Sequence, residues 1–296
     1  MRRVFLTGAR GFVGSRLAHF YRNQWDIEGP SHSQVELTSR EQVESALAYH
    51  RAQLVIHTAA LSNTGLCQQN PLESFKANVQ AAQVVANACK KAGAKLVFFS
   101  SDQVYAGVTQ QGPIAEETVL HPPTVYGRHK LEAEQLVLEA CPDAVCLRAT
   151  WMYDWNRPGL KDSPGFWGLL QQVMEHKEPL PQLAVREYRG ITWVQPIVQA
   201  METLTQLPGG VYNLGAKAPL NTYASGLMCL ERMGADTRTQ ALLKPDEERW
   251  QEQGQRNLSM DTGKLYRACG LEFGDTVSSL EECWKAYQEQ EGGSKV

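Results

Sequence analysis

Residues 4–14 read Val4-Phe5-Leu6-Thr7-Gly8-Ala9-Arg10-Gly11-Phe12-Val13-Gly14. An apolar, β-favouring run breaks at the first glycine, and after the third the apolar residues Leu17, Ala18 and Phe20 continue at helical spacing. Strand, glycine turn and helix, in that order, make a dinucleotide clamp. Glycine accepts positive φ and lets backbone amides approach a pyrophosphate, which then lies against the partial positive charge of the helix N-terminus. The spacing is G-x-x-G-x-x-G rather than G-x-G-x-x-G. Gly8, Gly11 and Gly14, with Arg10, Phe12 and Val13 between them, are therefore the candidate dinucleotide-binding residues. A glycine turn before a helix is often only structural, so a second motif downstream has to decide.

Moving outward from this turn, strand and helix patterns alternate. A short strand is expected near Trp25–Glu28, and then a helix capped by Thr38 or Ser39 with Val43, Ala46 and Leu47 on its apolar face. Leu54-Val55-Ile56 reads as a third strand, about Pro71 to Lys91 as a long helix stopped at Gly93, and Leu96-Val97-Phe98-Phe99 as a buried parallel strand. A helix from about Val125 to Glu139 and a strand from Ala144 to Arg148 complete the series. This order implies an α/β, Rossmann-like doubly wound parallel sheet with right-handed crossovers, with ligands at the C-terminal ends of its strands. Residues 1–149 form the expected nucleotide domain, with 190–214 returning to it through a late strand, Val211-Tyr212-Asn213-Leu214.

Residues 150–189 and 215–287 read as a smaller substrate-binding lobe. Four prolines and many aromatics between 151 and 190 suggest a loop-and-helix lid. Thr222–Arg232 reads as a helix ended before Gly234, the stretch to Tyr287 as a charged helix pair, and residues 288–296 as a flexible tail.

Composition narrows the classes further. A net charge of −3 gives no reason to bind nucleic acid or an anionic membrane. No apolar run approaches the roughly 20 residues of a spanning helix, and the start lacks a secretory signal, so the cytoplasm is the expected compartment. Seven cysteines without a C-x-x-C pair suggest neither a disulfide framework nor zinc, and seven histidines show no metal spacing; no metal site is expected.

The second motif is Tyr126-Gly127-Arg128-His129-Lys130, with Ser100-Ser101-Asp102-Gln103 just beyond the strand that ends at Phe99. Tyr126 and Lys130, four apart, share one helix face. A free phenol titrates near 10, so acid/base work at neutral pH asks for a fall of about 3 units, which a nearby ammonium and a nicotinamide cation promote. The Ser101 hydroxyl then holds a carbonyl or alcohol in line with the phenol. Y-x-x-x-K alone is more often an ordinary helix face; behind a glycine clamp it points to chemistry.

With these residues in place, the chain resembles the extended short-chain dehydrogenase/reductases, and specifically the dTDP-4-dehydrorhamnose reductase branch. The resemblance spans nearly the whole chain. It rests on Thr7 to Gly14, Glu36-Leu37-Thr38, Val55-Ile56-His57-Thr58-Ala59-Ala60, Asn78-Val79, Ser101 to Gly107, Tyr126 to Lys130, Leu147 to Tyr153 and Asp261-Thr262-Gly263-Lys264-Leu265. It implies a catalytic triad of Ser101, Tyr126 and Lys130, with Tyr126 the proton donor and Lys130 on the nicotinamide ribose. It also implies that Leu37, Thr58, Ala59, Ala60, Asn78 and Ser100 lie along the cofactor, Asn78 positioning active-site backbone or a relay water, and that Asp102 and Trp151 contact the sugar. Where related 4,6-dehydratases carry a glutamate base after the aspartate, this chain has Gln103. An amide cannot serve as that base, which leaves hydride transfer.

The carboxylate that usually grips an NAD ribose about 20 residues after the glycines is missing from Pro30-Ser31-His32-Ser33. Arg10, Ser31 and His32 suit a 2′-phosphate, so NADP (as NADPH) is favoured over NAD. The expected partner is a small molecule, a nucleotide sugar, and a homodimer is compatible with the sequence. Arg189, or Arg157 in the loop Asp154 to Gly159, is a candidate to grip its diphosphate. The family's G-x-P-T segment is replaced by Tyr188-Arg189-Gly190-Ile191-Thr192-Trp193, which keeps the threonine and loses the proline. Two alternatives stand beside a reductase: a nucleotide-sugar epimerase, which shares the triad, and a non-catalytic NADP-binding regulatory subunit, as in the β subunit of methionine adenosyltransferase.

Overall fold

The computed structural model describes residues 1–163, 165–252 and 254–293. Its central sheet has six parallel strands: β1 (Arg2–Thr7), β2 (Trp25–Glu28), β3 (Leu54–His57), β4 (Lys95–Ser101), β5 (Val145–Ala149) and a sixth, Gly210–Leu214. From one edge they run sixth strand, β5, β4, β3, β1, β2. The chain leaves β1 for β2 on one side and returns to β3 on the other. That reversal opens a crevice at the C-terminal ends of β1 and β3, where Thr7 pairs with His57. At the neighbouring ends Ser101 pairs with Ala149. The doubly wound Rossmann-like architecture expected from the sequence is present.

Period-two alternation gives the sheet two buried faces. Val4, Leu6, Leu54, Ile56, Val97 and Leu147 join one core with Leu17 and Tyr21 of α1 (Phe12–Tyr21) and with Val194, Ile197 and Leu204. Phe5, Val55, Leu96, Phe98 and Cys146 face the other core, built with Val43 and Leu47 of α2 (Arg40–His50) and the alanines of the Ala81–Ala92 helix. The side chain of Ser39 caps α2 by accepting from the Gln42 amide.

The expected long helix begins at Pro71 and ends at Gly93, whose φ is +65°, but it is not uniform. A π-helical turn, Lys76–Gln80, separates Pro71–Phe75 from Ala81–Ala92. Asn78 sits in that turn, a common place for functional residues.

Residues 151–190 depart from the expected loops and helix. Beside the Gly165–Met174 helix, Trp151–Tyr153 pairs in parallel with Ile191–Trp193, Gln182–Ala184 with Lys244–Asp246, and Glu187–Arg189 with Arg256–Leu258. Three-residue strands whose partners lie far along the chain leave no periodic signal, which is why the sequence does not reveal them. The lobe has its own core around Trp155, Phe166, Trp167 and Trp193. Leu265 of the Gly263–Cys269 helix, in contrast, packs into the central-sheet core. The last helix runs Thr276–Gly293, beyond the expected fraying point; residues 294–296, and Pro164 of the lid, lie outside the described residues. Among the described residues no helix is long and apolar enough to cross a membrane.

Candidate active site

The glycine turn is shaped by what its residues lack. Gly8 has φ +71°, and a Cβ there would meet the Ala59 amide nitrogen at 2.7 Å. At Gly14 a Cβ would meet the Gly8 carbonyl at 2.1 Å, so α1 starts as close to β1 as backbone allows. The Gly11 amide is spent on the Gly8 carbonyl (2.7 Å), whereas no side chain caps α1. The amides of its first turn remain available to an anion.

Two recesses meet at this turn. One, about 540 Å³, is lined by Gly8, Arg10, Ser31, His32, Leu37 and Ala59 among others, and no carboxylate is among its described lining residues. The other, about 580 Å³, is lined by Phe12, Val13, Ser100, Ser101, Tyr126, Lys130 and Trp151. Gly11, Thr58 and Ala60 border both, which makes one trough running from the Ser31–Ser33 loop over the glycine turn to Tyr126. A dinucleotide fits it: an apolar-floored groove, a tight glycine cradle and uncapped amides midway.

Ser101 ends β4 and caps the short helical turn Asp102–Tyr105, accepting from the Gln103 amide at 3.2 Å. Tyr126 and Lys130 reach the same cavity from the Val125–Ala140 helix, whose N-cap Thr124 accepts from the Gly127 amide. Lys130 is buried, donates to the Phe99 carbonyl at 2.6 Å and lies over the Phe98 ring. Burial pulls its pKa down to about 8, against the opposing pull of Glu134. The Tyr126 phenol differs from the expectation of a lowered value. Burial pushes it up, and the groups that draw it back are the Ser101 hydroxyl and the charge of Arg189. The phenol thus stays protonated at neutral pH in this protein environment.

Behind these residues lie buried polar supports. Ser100 donates to Glu134, which also receives a two-pronged pair from Arg148 (Nη2 to Oε2, 2.7 Å). Asn78 does not line the trough. Its Oδ1 accepts from the Leu61 amide (2.9 Å) and its Nδ2 donates to the Leu61 carbonyl and to Ser74, so it pins the loop after β3 rather than reaching a cofactor. Thr7 Oγ1 meets His57 Nδ1 at 2.7 Å, and burial holds that imidazole down at about 3, hence neutral.

The sugar-side expectations are rearranged. Asp102 is fully buried and accepts from Arg189 through both oxygens (2.6 and 3.1 Å), so it serves the wall of the cavity and not its surface. Trp151 and Arg189 do line the cavity. Arg157 lines neither recess; it lies 3.1 Å from Asp154 and over the Trp155 ring. Gln103, noticed only as an absent base, accepts from Arg256 at 2.6 Å and lines the cavity. Arg249, Trp250 and Arg256 also line it, and the sequence does not single them out. Only the adjacency of arginine and tryptophan in an otherwise charged, aperiodic stretch hints at them. Among the described residues no cluster of three or more His, Cys, Asp or Glu is arranged to hold a metal ion.

The family model described as the RmlD substrate binding domain matches residues 1–289. A dTDP-4-dehydrorhamnose reductase of Aggregatibacter actinomycetemcomitans is 26% identical over 155 residues, 52% of each chain. The methionine adenosyltransferase 2 subunit beta of Bos taurus is 31% identical over 160 residues, 51% of this chain and 47% of that one. The chain thus spans about half the length of these relatives. A crystal structure of dTDP-4-dehydrorhamnose reductase from Bacillus anthracis in complex with NADP has a TM-score of 0.83 at 19% identity, covering 97% of this chain and 99% of that one, a likeness of fold. By the family match and the shared fold, the chain belongs to the RmlD substrate-binding-domain family of the extended short-chain dehydrogenase/reductases.

Proposed function

We propose that the protein is an NADPH-dependent reductase acting on the carbonyl of a 4-keto nucleotide sugar, as the names of its reductase relatives suggest. One observation carries the reading: Ser101, Tyr126 and Lys130 border the same cavity as the first turn of α1. NADPH, held along the trough, would supply hydride to the carbonyl carbon. The Tyr126 hydroxyl, in the acid form at neutral pH, gives its proton to the carbonyl oxygen as negative charge develops there, and the positive charge of a bound nicotinamide would counter the upward shift that burial imposes. The Ser101 hydroxyl orients that oxygen. Lys130 uses one N–H on Phe99 and keeps donors for the nicotinamide ribose. Arg10, Ser31 and His32, in a recess without a carboxylate among its described lining residues, favour NADP over NAD.

The test is net consumption of NADPH with dTDP-4-dehydrorhamnose. Stoichiometric oxidation is expected. Catalysis without net consumption would mean an epimerase, which regains its cofactor each cycle.

A second reading is a regulatory subunit, since the β subunit relative, at 31% identity over 51% of this chain, is matched about as well as the reductase relatives, one of which, from Mycobacterium tuberculosis, is 32% identical over 51%. A regulatory subunit would copurify in a stable heteromeric complex and consume no NADPH.

A further inference from the structure

Ser101 and its two partners stand on two elements, β4 and the Val125–Ala140 helix. Tyr126, Lys130 and Glu134 follow one another at intervals of four along that helix and so share one face. Opposite them run Phe99, Ser100 and Ser101. Lys130 donates to the Phe99 carbonyl at 2.6 Å, Ser100 donates to Glu134, and the Ser101 hydroxyl stands by the Tyr126 phenol. Tyr126 and Lys130 line the cavity, and Glu134 lies one turn behind them. It is 2% exposed, and Arg148 of β5 holds it, with Nε 3.1 and 3.2 Å from its two oxygens and Nη2 2.7 Å from one. Arg148 is fixed in turn, because its Nη1 donates to the Tyr105 hydroxyl at 2.8 Å and to the Glu116 carbonyl at 3.0 Å.

We propose that Glu134 is a positioning residue for Ser101, Tyr126 and Lys130, fastening the helix of the phenol to the strand of the hydroxyl and giving the Lys130 ammonium a fixed counter-charge. This rests on the reductase reading above. Apolar packing is non-directional and does not by itself set how the helix stands along the strand. A charge-assisted hydrogen bond does, being short and directional. The Ser100 contact lies one turn from Lys130 and two from Tyr126, so it fixes the separation of the phenol from the Ser101 hydroxyl, on which in-line proton transfer depends. The charge acts on the lysine. The titratable groups that bear on Lys130 are Glu134 of its own helix, Cys146 of β5 and His57 of β3. Burial keeps the thiol protonated and the imidazole neutral, which leaves Glu134 to favour the ammonium. Arg148 pairs the carboxylate and offsets the cost of burying it.

Two substitutions separate the tether from the charge. Ser100→Ala removes the contact and leaves the ion pair whole, whereas Glu134→Gln keeps an acceptor for Ser100 and removes the charge. The experiment uses the full chain loaded with NADP and isotopically labelled at lysine, so that the Lys130 titration is read by NMR, its signal identified by loss in Lys130→Met. Far-ultraviolet dichroism is the folding control. Ser100→Ala is expected to lower kcat about tenfold, with KM within a factor of about two and the Lys130 titration unmoved. Glu134→Gln is expected to lower the Lys130 midpoint by about one pH unit and to bring the alkaline limb of kcat down with it. Where the stranded Arg148 prevents Glu134→Gln from folding, Glu134→Leu with Arg148→Met strands no charge and should lower the midpoint likewise. Wild-type kcat in Ser100→Ala, together with a wild-type midpoint in the folded charge variant, would overturn the proposal and leave the reductase reading standing. A lowered midpoint in that variant, with no turnover of any keto sugar by wild type, would sink the reductase reading and leave the counter-charge in place.

Discussion

The glycine turn and the arginine wall face each other across one trough, yet they are held by different forces. At the turn the decisive contacts are main chain against main chain, with Gly14 set against the Gly8 carbonyl and Gly8 against the Ala59 amide. At the wall they are ion pairs and hydrogen bonds between side chains far apart in sequence: Arg189 with Asp102 across 87 positions, Arg256 with Gln103 across 153. A backbone-built site fails when atoms are added. A side-chain-built site fails when charges are removed.

The sharpest way to break this comparison is at Tyr126, where the two ends meet. Tyr126→Phe keeps the ring and its packing but removes the proton donor. Turnover should fall by about 10²- to 10⁴-fold, in the range of general acid catalysis, while NADPH affinity, set at the backbone-built end, stays within a factor of two or so of wild type. Steady-state kinetics and a binding titration check both halves. A fully active variant would remove the phenol from the mechanism.

Next in size is the joint that ties the lobe to the nucleotide helix. Asp154 is buried and accepts from Arg16 of α1 at 2.7 Å and from the Trp193 indole at 2.9 Å, while Arg16 also donates to the Lys161 carbonyl. Asp154→Ala leaves a buried guanidinium without its charge partner, a loss of about 3–5 kcal/mol. Denaturant unfolding should show it, and the double variant Arg16→Met with Asp154→Leu should recover part of the loss, since the fully buried charge is then gone and only the partly exposed Arg157 has lost its carboxylate. Equal losses in the single and double variants would mean that the packing of the loop, and not the ion pair, fastens the lobe.

These two sites also show what could be read from the sequence. The strand, turn and helix at residues 4–21 are one local unit whose chemistry is in its own composition, and Y-x-x-x-K shares a helix face by periodicity alone, so both were legible. Asp102 was legible as a position but not in its orientation, because its partner, Arg189, lies on a three-residue strand that exists only through pairing with Arg256–Leu258. The same holds for Arg249 and Trp250, which no period places near Ser101. The π-turn at Lys76–Gln80 escaped because an extra residue in a helical turn leaves hydrophobic spacing nearly unchanged. The direction of the Tyr126 shift escaped because burial of a phenol is a property of the assembled cavity, and it outweighs the charges around it.

A finer probe of the interior is the titration of Lys130. Its folded pKa is down at about 8, below the ordinary lysine range that an unfolded chain retains. Between those two values the unfolded state binds more protons, so unfolding free energy rises with pH, by at most about 1.4 kcal/mol per unit. Below about 8 both states are protonated and the whole cost of burying the ammonium is present. Lys130→Met removes the titration. The difference in stability between wild type and variant should therefore climb in favour of wild type from about pH 8 upward, and a flat difference would mean that burial does not lower the pKa of the folded amine at all.

The smallest effect is expected at the far end of the trough, and it is the one that tests whether side chains matter there at all. Arg10 is exposed and lines the recess with Ser31 and His32. Its guanidinium would meet only the 2′-phosphate of NADPH, a group NADH lacks. One charge-assisted hydrogen bond at a solvated position is worth no more than about 1.5–3 kcal/mol and less where water screens it. Arg10→Ala should thus weaken NADPH about tenfold, equivalent to about 1.4 kcal/mol, and leave NADH unchanged, with the loss shrinking as salt is raised. Equal weakening of both cofactors would place Arg10 in the turn's own structure. No weakening of either would make this end of the trough backbone-built throughout, and the contrast with the arginine wall would then be complete.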